Sequence, residues 1–156
     1  VQLINKTNQF NLTTRRMTEQ EVAALETDPA VLTLQVRLKD RFGDNGMIGV
    51  VIGRCKGTDC TLDVWLMSCR VLNRGVEKLV LDVLAEQARR QGMRRLVGLY
   101  LQTPKNALVK DHYPNLGFSA DESAPGEHWI LDLASHQVGD HAIRLTPTSL
   151  SAGGNR

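Results

Sequence analysis

The sequence predicts an α+β domain in which a central, mostly antiparallel sheet is flanked by helices, and three observations carry that prediction. Residues 31–69 alternate apolar and polar positions around two turn clusters, GDNG and KGTD, as a three-stranded meander does. Val76, Leu79, Val80, Val83, Leu84 and Ala88 then follow the i, i+3, i+4 spacing of a helix, which Gly92 closes. Behind that helix, RRLVGLYLQ is nearly continuously apolar, as a strand covered on both faces is.

Each element has its own local signal. Residues 1–9 read as a connector from a region outside the chain, and a strand is expected near Phe10–Arg16. Thr18 followed by Glu21 is a capping box, so a helix is expected over Glu19–Glu26, ended by Asp28-Pro29. In TLDVWLMSC, Leu62, Val64 and Leu66 share one face while Asp63, Trp65, Met67 and Cys69 share the other, provided no bulge intervenes, which places Cys69 at a strand end. NALVKDHYPNLGF reads as a short helix stopping before Gly117, Pro125-Gly126 as a turn and HWILDL as the last strand. The apolar pattern fades after Leu133, so residues 10–134 form the expected domain and 135–156 a linker or tail. A start at Val1 and the polar ending SLSAGGNR suit a piece of a longer polypeptide.

Bulk composition narrows the function classes. An apolar share of 42% supports one buried core, and a net charge of +2 does not make nucleic acid the first partner to consider. Three cysteines, Cys55, Cys60 and Cys69, match neither a zinc-ligand spacing nor a disulfide framework, so no metal site is expected and a reducing, cytoplasmic setting is. No apolar run reaches the length of a membrane span.

Chemistry is expected where the third strand gives way to the long helix. Arg70, Val71, Leu72, Asn73, Arg74, Gly75 and Val76 would present backbone N–H groups at a helix N-terminus, with two arginines beside them, to a phosphate or pyrophosphate. Arg89, Arg90, Arg94 and Arg95 gather at the far end of the helix, where they complement its dipole or form a docking patch.

These residues carry a resemblance. Arg70 and Gly75 fit the acyl-CoA loop [Q/R]-x-x-G-x-[G/A] of the GNAT (Gcn5-related N-acetyltransferase) family, with Asn73 in place of its first glycine; Asn106, Tyr113, Gly117 and Phe118 fit a second GNAT pattern, N-x-x-A-x-x-x-Y-x-x-x-G-F, with Val109 in the alanine place. NKTNQFNLTTRR, WLMSCRVLNRGVE and DHYPNLGF further resemble the C-terminal acyltransferase-like half of FkbH-like proteins, which join a HAD-type phosphatase-like domain to a GNAT-like one.

The resemblance implies a GNAT-like fold and glyceryl transfer in polyketide biosynthesis. A three-carbon acyl group from 1,3-bisphosphoglycerate is dephosphorylated and loaded onto the phosphopantetheine of an acyl carrier protein, the HAD-type domain being the other partner. It also implies that the strand end at Cys69 faces the acyl carbonyl of a bound thioester, which makes Cys69 the candidate acyl acceptor. Arg70, Arg74 and the helix N-terminus would favour its thiolate. Tyr113 or His112 would move a proton at the pantetheine sulfur, although Tyr113 equally suits a packing aromatic and His112 a surface position. Asn106 is a helix N-cap, a ligand of the pantetheine arm, or both together, and Asn8, Gln9 and Asn11 are either turn residues or amides that hold a hydroxylated acyl group. Two rival functions stand beside this one. An ordinary acetyl-CoA-dependent N-acetyltransferase needs no nucleophile, and a non-catalytic docking module only clamps the carrier's arm.

Overall fold

The capping box forms as the sequence predicts. Thr18 Oγ1 accepts from the Glu21 backbone N–H at 3.2 Å while the Glu21 carboxylate accepts from the Thr18 N–H at 2.7 Å, and the helix they open, α2, runs Glu19–Glu26. Those bonds hold the Glu21 carboxyl below the usual carboxylate range. The computed structural model describes residues 2–7, 9–71 and 74–139. Residues 2–6, expected as connector, instead make a one-turn helix, α1 (Gln2–Lys6), too short to stand alone and held by Ile4, which is buried.

The meander is β1 (Val31–Asp40), β2 (Gly43–Lys56) and β3 (Asp59–Met67). The first turn falls at Arg41 and Phe42 rather than at GDNG, because β2 begins at Gly43 and absorbs Gly43 and Gly46, both with positive φ, beside irregularities near Arg37. The long helix, α3 (Val76–Arg90), crosses back to β4 (Arg95–Leu99), which lies parallel to β3. The short helix expected after it is two pieces, a 3₁₀ turn at Ala107–Val109 and α4 (His112–Asn115). Then β5 (Ser119–Ala120) and β6 (His128–Asp132) complete a six-stranded sheet in the order β1-β2-β3-β4-β6-β5.

Each face of the sheet buries its own cluster. On one, Val76, Val80, Leu81, Leu84, Ala85 and Ala88 of α3 pack on Val51, Leu62, Trp65 and Met67; on the other, Ile4, Met17 and Leu25 pack on Val50, Ile52, Val64 and Leu66. The strict alternation expected of β3 is broken. Ile52 pairs with Val64 but Gly53 with Leu62, so Asp63 is an extra residue, and Leu62 joins the face of Trp65 and Met67 instead of that of Val64 and Leu66. The bulge also brings the largely buried Asp63 carboxylate to Arg54 and to Arg15, the latter at 3.2 Å.

Beyond the bulge β3 and β4 part. They pair only from Asp59 with Arg95 to Leu62 with Gly98. No strand forms over residues 10–16; Phe10–Leu12 is instead wedged between the diverging ends. Leu12 N–H donates to the Trp65 carbonyl (3.0 Å), Met67 N–H to the Phe10 carbonyl (3.0 Å) and Leu101 N–H to the Leu12 carbonyl (2.8 Å). Phe10, Asn11 and Leu12 are all buried there, so the segment is an interior strip of the sheet rather than an edge.

Candidate functional site

The wedge pulls its flanking residues to the end of β3. Strand β3 stops at Met67, one residue pair short of Cys69, which begins a 3₁₀ turn (Cys69–Val71) and is exposed. Its Sγ donates to Oε1 of Gln9 at 3.4 Å. A cavity of about 700 Å³ opens around this pair, within the size range of small-molecule sites, and is walled by Leu3, Lys6, Thr7, Gln9, Ser68, Cys69, Pro104 and Lys105. Among the described residues its wall has two cationic side chains, a thiol, an amide and two hydroxyls, and no carboxylate or imidazole.

The other cysteines have different surroundings. Cys60 is fully buried, and burial, with Cys55 beside it, pushes its thiol well above the ordinary range, which leaves it inert. Cys69 is the exposed thiol of the three.

Asn11 and Asn106 fix the wedge. Asn11 Oδ1 accepts from the N–H of Thr14 (2.8 Å) and of Thr13 (3.4 Å), its amide donates to the Thr7 carbonyl (3.1 Å), and Thr14 takes a φ of 53° to close that turn. The Asn106 side chain makes no helix-capping bond. Its Nδ2 donates to the carbonyls of Asn11 (3.0 Å) and Leu101 (2.8 Å), and its Oδ1 accepts from Thr103 N–H (2.7 Å). Asn106 thus stands at the N-cap position of the 3₁₀ turn, as expected, but its side chain serves as a bracket between the wedge and β4, both amide hydrogens being donated to backbone carbonyls. Of the three amides expected to face an acyl group, Gln9 reaches the cavity, Asn11 does not, and Asn8 lies outside the described residues.

His112 and Tyr113 are brought together, but not at the thiol. Both are buried, correcting the expectation of a surface histidine, and neither borders the cavity. The His112 ring stands edge-on to Phe10 (5.2 Å between centroids), Trp65 (4.4 Å) and Tyr113 (5.1 Å). Helix α4 is one turn long and is covered from above by the wedge, so the usual argument that adjacent helical residues point in different environments does not hold. Burial lowers the His112 pKa to about 3, leaving a neutral imidazole, and raises that of Tyr113; the Tyr113 hydroxyl lies near the Leu99 backbone without a well-formed hydrogen bond.

The expected phosphate loop is mixed. Val71 and Val76 point into the core, Arg70 is exposed with its Nε donating to Ser68 Oγ at 3.2 Å, and Leu72 and Asn73 lie outside the described residues. Gly75 has φ 80° at the N-cap of α3, a left-handed backbone that suits glycine, and having no side chain it makes no capping bond to the first turn of the helix. Arg74 is exposed beside it, and none of the described residues of this loop, Arg70, Val71, Arg74, Gly75 and Val76, borders the Cys69 cavity.

At the far end of α3 three of the four arginines are engaged, Arg90 with Glu86, Arg95 with both carboxylate oxygens of Asp59 and Arg89 with the carbonyls of Leu133 and His136, while Arg94 is exposed. These bonds suit a solvated face that complements the helix dipole. Among the described residues no three His, Cys, Asp or Glu side chains form a metal site, and no helix is long and apolar enough to cross a membrane.

Sequence reasoning missed Lys6, Ser68 and Lys105. Lys6 and Lys105 are 99 positions apart in runs read as connector and loop, and only the wedge brings those runs together.

Comparison with solved structures gives the fold. The chain is similar to Tetrahymena GCN5, with a TM-score of 0.57 and 12% identity over 79% of this chain and 81% of that one. It is likewise similar to the GNAT domain of S. lividans PAT, with a TM-score of 0.56 and 19% identity over 75% and 70% of the two chains. PaiA N-acetyltransferase from Thermoplasma acidophilum, solved in complex with coenzyme A, gives a TM-score of 0.53 and 15% identity over 71% and 65%. No protein-family model matches the sequence, and no curated protein matches it.

Proposed function

We propose that this GNAT-fold chain is an acyltransferase domain that carries a glyceryl unit, derived from 1,3-bisphosphoglycerate, on Cys69 and passes it to the phosphopantetheine of an acyl carrier protein. The observation that carries the reading is the exposed Cys69 thiol, hydrogen-bonded to Gln9 at the wall of a cavity of about 700 Å³. A hydroxylated three-carbon acyl group finds amide and hydroxyl partners there in Gln9, Thr7 and Ser68.

The wedge argues against the direct acetyl-CoA route. Met67 N–H and Trp65 C=O, at the β3 end that the resemblance assigns to a thioester carbonyl, are both taken by Phe10 and Leu12. The cavity, by contrast, has room for the end of a pantetheine arm, whose part is to supply the acceptor thiol. In this reading Gln9 and Ser68 orient the acyl group on Cys69, and the first turn of α3 with Arg70 and Arg74 faces the arm's phosphate. A proton-transfer role for Tyr113 or His112 requires the core to open, since both rings are buried, His112 against Phe10 and Tyr113 against Trp65 and Phe118. Dephosphorylation belongs to a HAD-type partner domain.

Incubation of the chain with glyceroyl phosphate followed by intact mass and peptide mapping tests the reading. A glyceroyl adduct on Cys69 that a carrier-protein thiol discharges is the expected result; acyl transfer from acetyl-CoA to an amine by Cys69→Ala at the wild-type rate would overturn it.

A further inference from the structure

Cys55 of β2 and Cys60 of β3 stand directly opposite each other, next to the Lys56–Asp59 pair that closes the hairpin. Cys55 N–H donates to the Ala30 carbonyl at 2.7 Å, on the side away from β3, so the two cysteines exchange no backbone bonds. Opposed residues of that kind hold their Cα atoms about 4.5 Å apart with their side chains close, which falls inside the span of a disulfide. Both side chains turn to the face covered by α3, where Cys60 is part of the core and the half-buried Cys55 packs against it. Gly53, on that face of β2, leaves the Cys60 sulfur its place, since a Cβ there would stand 2.7 Å from it. The two thiols act on each other directly: after burial, the Cys55 side chain is the next cause that keeps Cys60 protonated.

We infer that Cys55 and Cys60 form a reversible disulfide site, oxidised by small-molecule disulfides and separate from Cys69. It does not depend on the acyl-enzyme reading above. Cys55, the more accessible of the two, attacks the reagent; a bond forms between its sulfur and one reagent sulfur, and the reagent's S–S bond breaks. The other half of the reagent leaves as a thiol with the proton that Cys55 gives up. Cys60 then attacks the Cys55 sulfur, the protein S–S bond forms, and the second half of the reagent departs with the Cys60 proton. Two protein thiols are oxidised and one disulfide is reduced to two thiols. Burial makes Cys60 inert to reagents in solvent but does not bar this step, because its reaction partner is the neighbouring side chain. Cys69 does not compete for either sulfur, as β3 runs about 23 Å from Cys60 to Met67 before Cys69 is reached.

The test uses Cys69→Ser, which leaves Cys55 and Cys60 as the thiols of the chain, incubated folded with oxidised glutathione and read by intact mass without reduction. The protein is expected to lose two hydrogens, to keep no glutathione, and to recover both hydrogens in excess reduced glutathione. Cys69→Ser/Cys60→Ala is expected to stop at a mixed disulfide on Cys55, and Cys69→Ser/Cys55→Ala to stay unmodified over the same time. Half-oxidation of Cys69→Ser should need about tenfold or more reduced glutathione to oppose it in the folded protein than in urea, since the fold holds the two sulfurs together. Retained glutathione on Cys69→Ser, disulfide-linked dimers, no oxidation, or a disulfide that reduced glutathione does not open overturns the inference. So does an equal midpoint in urea, which would make the pairing a matter of sequence proximity alone.

Discussion

The Asn106 side-chain amide donates to the backbone carbonyl of Asn11 at 3.0 Å, joining segments 95 residues apart. Asn106 is fully buried, so the bond is shielded from water and the wedge between β3 and β4 depends on it.

Asn106→Ala is therefore expected to destabilise the fold by about 2–4 kcal/mol, since it leaves the Asn11 and Leu101 carbonyls and the Thr103 N–H without their partner. Chemical denaturation measures the loss. Hydrogen exchange at the Leu12, Met67 and Leu101 amides should accelerate more than exchange in α3, and uniform acceleration would show that Asn106 does not specifically hold the wedge.

Gly98 packs under Tyr113, and a Cβ at position 98 would lie 2.4 Å from the Tyr113 ring. Gly98→Ala is expected to cost about 1–3 kcal/mol by overpacking. Tyr113→Leu in the same chain should recover part of that loss, a coupling that a double-mutant cycle in denaturant reads directly.

Burial holds His112 neutral, with a pKa of about 3 in the folded protein against an ordinary value of 6.5. The folded state thus binds fewer protons than the unfolded one between those values. Stability from this group is fully present above pH 6.5 and falls as the pH drops toward 3, by up to ~1.4 kcal/mol per pH unit. His112→Phe should flatten the stability profile across that window while leaving it unchanged at pH 8 apart from a constant offset. An equally steep profile in the variant would assign the acid loss to other groups.

Cys69 is exposed and Cys60 buried, with its thiol suppressed by burial. Brief alkylation with iodoacetamide should label Cys69 and spare Cys60, as peptide mass mapping reports. Cys69→Ser is expected to change stability by no more than about 0.5 kcal/mol while abolishing the glyceroyl adduct. A large stability loss would make the thiol a packing residue.

Much of the architecture was legible from short-range patterns. Thr18 and Glu21 placed α2 to the residue, because a capping box is a bond between groups three positions apart. The spacing from Val76 to Ala88 placed α3, and Gly92 its end, for the same reason. The bulge at Asp63 was not legible: an extra residue in one strand is defined only against its partner, so the facing of Leu62 came out opposite to the one expected. In the candidate site, Cys69 and Gln9 were each singled out, but their contact was not, and Lys6 and Lys105 gave no local sign.

What the sequence by itself determined is the order and type of the main elements, the mixed sheet flanked by helices, and a cysteine at the end of the third strand. Each follows from side-chain periodicity or from turn and cap chemistry over a few residues. Only the tertiary structure decided what stands around that cysteine. Phe10–Leu12 fills the opening between β3 and β4 because their backbone groups, once the strands diverge past Leu62 and Gly98, must be paired by something, and this segment pairs them. That one long-range choice covers His112, turns Asn106 into a bracket, and sets Gln9, Lys6 and Lys105 around Cys69.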